Sequence, residues 1–133
     1  MRCYCSICRK TAGSGGFAIN LGADYRTLQV MGQDSIGVYR PKTDNGESHL
    51  QRHFCVTCGS PLWCYSSRWT ELVHPHASSI DTPLTKLDQF VDLMLGSAAS
   101  WVCLHEGENI DRFNTYPEES IEDWHKSRGL WVD

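Results

Sequence analysis

At 133 residues, with 41% hydrophobic and 21% charged side chains, the chain has the size and composition of one globular domain. A net charge of −4 leaves no basic footprint, so nucleic acid is not the expected partner. No run of about 18 apolar residues suggests a membrane span, and no charged-then-apolar leader opens the chain, so a cytoplasmic protein with reduced thiols is expected.

The N-terminus reads MRCYCSIC, a cysteine cluster, followed by the turn-rich loop TAGSGG. FAINL at 17–21 alternates apolar and polar residues and predicts a strand, as do LQVMG at 28–32 and IGVYR at 36–40. PKTDNGES at 41–48 is loop, with Asn45-Gly46 as its hairpin signal. LQRHFCVTCGSPLWCYSS then runs strand, knuckle, strand, the knuckle being 55–59 and the second strand 61–65. ELVHPHASSI carries a further short strand interrupted by Pro75, and FVDLML at 90–95 fits either a strand or a short helical turn. The tail predicts a helix over about 117–128, with Thr115 and Glu118 as a capping box, Ser120 as a competing cap and Gly129 as the stop. The pattern is mainly β with one C-terminal helix. It divides into a body at 1–104 and an extension at 105–133.

Seven cysteines is an odd count for a disulfide framework. Cys5-x-x-Cys8 and Cys55-x-x-Cys58 instead have the spacing of paired zinc ligands, each a turn that aims two thiols at one point. Gly59 supplies the positive φ that such a knuckle often needs. The 46 residues between the pairs exceed a zinc-finger gap, so a β-domain is expected between them. Cys3 adds a C-x-C in which, if extended, both thiols share one side. Cys3, Cys5 and Cys8 then form a three-thiolate set, the donor number of a catalytic zinc; four closed ligands would be structural. A thioredoxin-like redox pair needs a βαβ context that the pattern lacks. Cys64 and Cys103, beside aromatic residues, read as packing thiols.

CYCSICRKTAGSGGFA and RHFCVTCGSPLW resemble the motifs of the glutathione-dependent formaldehyde-activating enzyme family, which includes the centromere protein V group. Cys3, Cys5, Cys8, Arg9, Lys10 and Gly13 match the first motif; Phe54, Cys55, Cys58, Gly59 and Ser60 match the second. SSIDTPL and ASW resemble later family segments more weakly, so the likeness spans about residues 3–101. It implies a β-tent fold of small antiparallel sheets around a cysteine-bound zinc. It also implies catalytic Cys3, Cys5 and Cys8, and a carbon–sulfur lyase acting on glutathione adducts of small aldehydes such as formaldehyde. In the family, the pair matching Cys55 and Cys58 shares a structural zinc with an earlier C-x-C. This numbering has none, and Tyr4 stands where the family has His. Either a single zinc is held by Cys5, Cys8, Cys55 and Cys58, with Cys3 able to replace one N-terminal thiol, or an upstream segment lies outside the numbering. One zinc is the expectation.

Arg9, Lys10 and Gly13 are the candidate substrate-binding residues. Arg2, Arg9 and Lys10 flank the trio and can hold a thiolate, or else are solvated. TAGSGG can present an anion nest, or else is a plain turn. His53 is placed either beside the metal ligands or on an exposed strand. His74 and His76 share a strand face at i, i+2, and Pro75 argues for an edge. His49, His105 and His125 read as surface residues, and the tryptophans as core. The runner-up function is a non-enzymatic zinc-stabilised β-tent module that binds a partner.

Overall fold

The computed structural model describes residues 1–132. Eleven strands are assigned among them: β1 (Arg2–Cys3), β2 (Ala18–Ile19), β3 (Ala23–Asp24), β4 (Ile36–Tyr39), β5 (Lys42–Thr43), β6 (Gly46–Glu47), β7 (Gln51–Cys55), β8 (Pro61–Tyr65), β9 (Leu72–Pro75), β10 (Phe90–Leu93) and β11 (Ile110–Arg112). The two α-helices of the described residues are α1 (Ser6–Ala12) and α2 (Ile121–Ser127). Neither is long and apolar enough to cross a membrane.

The strands form three small sheets. One has the order β11-β10-β1-β2, one β3-β9-β8-β7-β4, and β5-β6 is a two-stranded ribbon. The five-stranded sheet and the ribbon are antiparallel throughout. In the first sheet β1 pairs with β2 antiparallel, but β1–β10 and β10–β11 are parallel. The expected mainly β architecture with a C-terminal helix is what the chain adopts.

β1 is two residues long and cannot hold its place by itself. It is clamped to β10, with Arg2 opposite Asp92 and Cys3 opposite Leu93. Arg2 Nε donates to Asp92 Oδ1 at 2.5 Å, and both side chains are almost fully buried. The guanidinium also lies 4.7 Å from the Phe90 ring centre. Removing one partner of such a buried pair costs about 3–5 kcal/mol, because the other charge is stranded. The pair therefore fixes the strand that delivers Cys3.

The sheets are stitched together at β2. Asn20 bridges to His76, and Leu21 N donates to Pro75 O at 2.9 Å, which joins the end of β2 to the end of β9. Core residues Cys3, Cys8, Ala18, Val91, Leu93 and Trp124 pack as one cluster. Trp124 comes from α2, so the 105–133 stretch contributes both a strand to the first sheet and a large side chain to this core.

Four local outcomes differ from the sequence expectation. The cysteine cluster and TAGSGG contain a helix, α1, because Cys5 acts as its N-cap: its Sγ accepts from Cys8 N at 3.3 Å. α1 stops at Gly13, where a Cβ would sit 2.2 Å from Phe17 O, so only glycine lets the chain fold back there. The strand expected at 28–32 does not form. Asp24 accepts from Arg26 N and starts a 3₁₀ turn, a second one follows at Gln33–Ser35, and Met31 is 95% exposed with no neighbouring strand. The strand at 17–21 is cut to two residues. The 90–95 segment resolves as strand β10 followed by a 3₁₀ turn, and β11 is a strand that the sequence did not announce.

α2 starts at Ile121, inside the expected range, with Ser120 and not Thr115 as its cap: Ser120 Oγ accepts from Asp123 N at 3.0 Å. It ends with Leu130 N donating to His125 O and Gly129 N donating to Lys126 O, a pattern that satisfies the last carbonyls. Trp124 is 5% exposed. Replacing it with Ala is expected to destabilise the protein by about 3–5 kcal/mol. Met31→Ala should stay within about 0.5 kcal/mol. Urea denaturation midpoints of the two variants check this.

Candidate metal centre

The strand-to-helix junction β1–α1 presents three sulfurs to one point. Cys3 closes β1, and alternation along the extended chain sends Tyr4 to the opposite side, where it is fully buried with its ring 5.2 Å from Phe17. Cys5 is still extended (φ −61°, ψ 151°), so its thiol returns to the side of Cys3. Cys8 lies three residues on, in the first turn of α1, which brings it back over Cys5. The Sγ atoms of Cys3, Cys5 and Cys8 lie within 4.8 Å of one another. Cys3 and Cys8 are buried and Cys5 is half-buried, so the cluster has one open side.

The thiols are not equivalent. Hydrogen bonds from Cys3 and Cys5, and the nearby Arg52 charge, hold the Cys8 thiol far below its ordinary value despite burial. Hydrogen bonding to Cys5 and Cys8, with burial added, pushes Cys3 well up. Cys8, which faces the Arg52 guanidinium, is the member of the trio that favours the anionic form. Arg52 Nη2 donates to Cys8 Sγ at 3.5 Å, and its Nη1 donates to Thr11 Oγ1 at 3.2 Å. Thr11 in turn donates to Ile7 O at 2.8 Å. Arg52 comes from β7, so this contact also locks the second sheet onto α1.

A second donor reaches the same sulfur. Asn20 Nδ2 lies 3.7 Å from Cys8 Sγ. Asn20 Oδ1 is 3.0 Å from His76 Nδ1, and His76 Nε2 is 3.6 Å from Cys64 Sγ. Burial pushes the Cys64 thiol up to about 11, so it keeps its proton and donates to Nε2. A neutral His76 then donates from Nδ1 to Asn20, which leaves the Asn20 amide N–H for Cys8. Cys64, His76 and Asn20 form a one-directional relay that ends on the thiolate.

The structure does not add the second cysteine pair to this group. Among the described residues, Cys55 and Cys58 lie outside the one cluster of candidate ligands. The knuckle itself is built as expected, with Gly59 N donating to Cys55 O at 2.8 Å and Gly59 at φ 75°. Cys58 is exposed, its Sγ 3.1 Å from Ser60 Oγ. The expected four-thiolate set of Cys5, Cys8, Cys55 and Cys58 is thus not assembled here. β7 turns Arg52, not Cys55, toward the trio, and three strand positions span about 10 Å.

The other sequence candidates have these places. Arg2, expected as a cation for the trio, is committed to Asp92. Arg9 is half-buried and Lys10 exposed, both in the last turn of α1, where cations suit the helix dipole. Gly13 is buried against the Phe17 backbone. His53 stacks on Trp63, with ring centres 4.6 Å apart and planes 12° off parallel. His74 Nδ1 meets Leu21 O at 3.0 Å. Arg52, Asn20 and Thr11 were missed by sequence reasoning, and the only prior signal for this group was His76. A cleft of about 300 Å³ adjoins these residues, lined in part by Thr11, Arg52, His76, Tyr39 and Phe54.

The donor set suits a thiophilic cation. Tetrahedral thiolate ligands about 2.3 Å from zinc lie roughly 3.8 Å apart, within the span of the trio. A cation there would also relieve the repulsion between neighbouring thiolates. The cluster could hold a metal ion. Residues 1–93 match the family model described as "Glutathione-dependent formaldehyde-activating enzyme". The chain belongs to this family. A Halomonas elongata protein named "Putative glutathione-dependent formaldehyde-activating enzyme" is 49% identical to it over 129 residues, covering 97% of this chain and 82% of the relative. The family match takes in the trio, the Arg52 and Asn20 donors and the second knuckle, and ends at the last residue of β10.

Burial lowers His76, and the Arg52 charge adds to this; burial also lowers His74. Both therefore bind protons more weakly folded than unfolded. As pH falls below about 6.5, the unfolded chain gains protons that the native state does not, and stability drops until the native values are reached. The expected slope is at most about 1.4 kcal/mol per pH unit per histidine. His76→Gln should flatten the decline between pH 6.5 and 5 in denaturant titrations relative to the parent protein. An equal slope in both would remove His76 as a cause.

Proposed function

We propose that the protein is a zinc-dependent enzyme that makes and breaks the carbon–sulfur bond between glutathione and a small aldehyde, with formaldehyde as the reference substrate. The observation that carries this reading is the Cys3–Cys5–Cys8 cluster, three sulfurs within 4.8 Å with an open side. The family and the name of the Halomonas relative support the substrate class. The separation of Cys55 and Cys58 from the trio favours the enzyme over a closed four-thiolate binding module. Seven unpaired cysteines fit a reducing, cytoplasmic setting.

Cys3, Cys5 and Cys8 would hold the ion, and with three protein ligands a fourth position stays free for substrate. When bound, zinc supplies the Lewis acidity that keeps a substrate thiol as the reactive thiolate. Arg52 and Asn20 hold Cys8 anionic before any ion arrives, which pre-organises the donor set. The relay from Cys64 through His76 fixes the Asn20 amide so that its N–H, not its carbonyl, faces the sulfur. The cleft beside Arg52 offers room for the peptide part of a glutathione adduct, and Arg9 and Lys10 provide positive charge for its carboxylates.

Formaldehyde–glutathione exchange followed by carbon-13 exchange spectroscopy tests the reading. The parent protein, supplied with zinc, should accelerate exchange over the protein-free mixture. Cys5→Ser should return it to the protein-free rate, while still capping α1 through its hydroxyl and so keeping the fold. Equal rates with and without the parent protein would overturn the proposal.

A further inference from the structure

A strand at the end of a sheet leaves a row of backbone groups without a neighbouring strand. β4 is such a strand, closing the five-stranded sheet beyond β7. It is four residues long, whereas the other strands at sheet edges have two or three. Lysine, proline and β-bulges are the usual guards of an open edge, and Ile36–Tyr39 carries none of them. Its Val38 and Tyr39 are 53% and 47% exposed.

The ladder with β7 fixes which backbone groups are left over. Val56 N donates to Ser35 O at 2.9 Å, and Ile36 stands opposite Cys55. In antiparallel alternation this makes Gly37–Phe54 and Tyr39–Arg52 the hydrogen-bonded pairs. Ile36, Val38 and Arg40 therefore turn their backbone groups away from β7. The Ile36 N–H is taken by Gln33 O. That leaves the Ile36 C=O, the N–H and C=O of Val38, and the Arg40 N–H. This set is self-complementary under a two-fold rotation. With Val38 opposite Val38, each Val38 N–H meets the C=O of the other, and each Arg40 N–H meets the Ile36 C=O of the other copy. No hydrogen bond within either chain has to break.

The same register suits the side chains. Gly37 of one copy falls opposite Tyr39 of the other, in a non-hydrogen-bonded pair, where side chains come closest. Gly37 leaves its backbone bare, and the Phe54 ring lies so near that a Cβ there would be 2.5 Å from Phe54 Cζ. An incoming Tyr39 ring thus meets a bare strand backed by an aromatic ring. Both positions stand on the face of the sheet that carries Arg52 and the cleft, which Tyr39 and Phe54 help to line. Beyond the strand ends, the register runs Asp34 of one copy toward Lys42 of the other, opposite charges that are both exposed. Neither is in an ion pair within its own chain among the described residues. We propose that β4 is a seam between two copies of this chain, paired antiparallel about Val38, with Tyr39 of each copy on the rim of the other's cleft.

Sedimentation equilibrium of the full chain tests the seam, and a monomer–dimer equilibrium is expected. Val38→Lys sets like charges face to face on the two-fold axis. It is expected to raise the dissociation constant about tenfold or more, with the far-ultraviolet circular dichroism of the parent. Met31→Lys adds the same charge at a residue 95% exposed and outside the seam, and should associate like the parent. In dimers mixed from carbon-13-labelled and unlabelled parent chains, isotope-filtered nuclear Overhauser transfer is expected between the Tyr39 ring of one copy and the Gly37 α protons of the other. A parent chain that stays monomeric up to about millimolar concentration overturns the proposal, whether the edge is then bare or taken by an unlike segment. So does a dimer without that transfer, or one that Val38→Lys leaves intact.

Discussion

Three thiols within 4.8 Å of one another cannot all be anions without a cation among them. The surrounding structure answers that constraint. Arg52 Nη2 and Asn20 Nδ2 both point donors at the Cys8 sulfur. Cys8 is buried, and a buried anion needs charged or hydrogen-bonding partners. The family membership places this arrangement among proteins described as acting with glutathione and formaldehyde, whose adduct carries sulfur at its reactive end.

The parts that hold the trio come from every region of the chain. β1 delivers Cys3 only because the buried Arg2–Asp92 pair clamps it to β10. α1 delivers Cys8 because Cys5 caps the helix. β7 brings Arg52 from the other sheet, and β9 runs into His76, which orients Asn20. α2 closes the core beneath with Trp124. An expected cation, Arg2, turned out to be structural, while the cation that meets the sulfur lies 44 positions from Cys8.

Much of this was readable from local pattern. Cys3, Cys5 and Cys8 announced a donor cluster because their spacing alone forces convergence, and β4 and β8 announced themselves by composition. The four-thiolate set across both knuckles was not realised, because spacing says how a pair is aimed but not whether two pairs meet. α1 was missed because cysteine is not among the usual N-caps. The strand expected at 28–32 failed for want of a partner, and β11 exists only because β10 pairs with it. Arg52 and Asn20 carried no motif of their own: their role depends on the crossing of two sheets, which no local signal encodes.

The central claim is that Cys3, Cys5 and Cys8 by themselves bind a thiophilic ion. Zinc K-edge absorption on a Cys55→Ser/Cys58→Ser variant, purified without chelator, addresses it most directly. The account predicts one retained zinc per chain with three sulfur neighbours, one from each cysteine of the trio. A variant that emerges free of zinc, although folded, would contradict it.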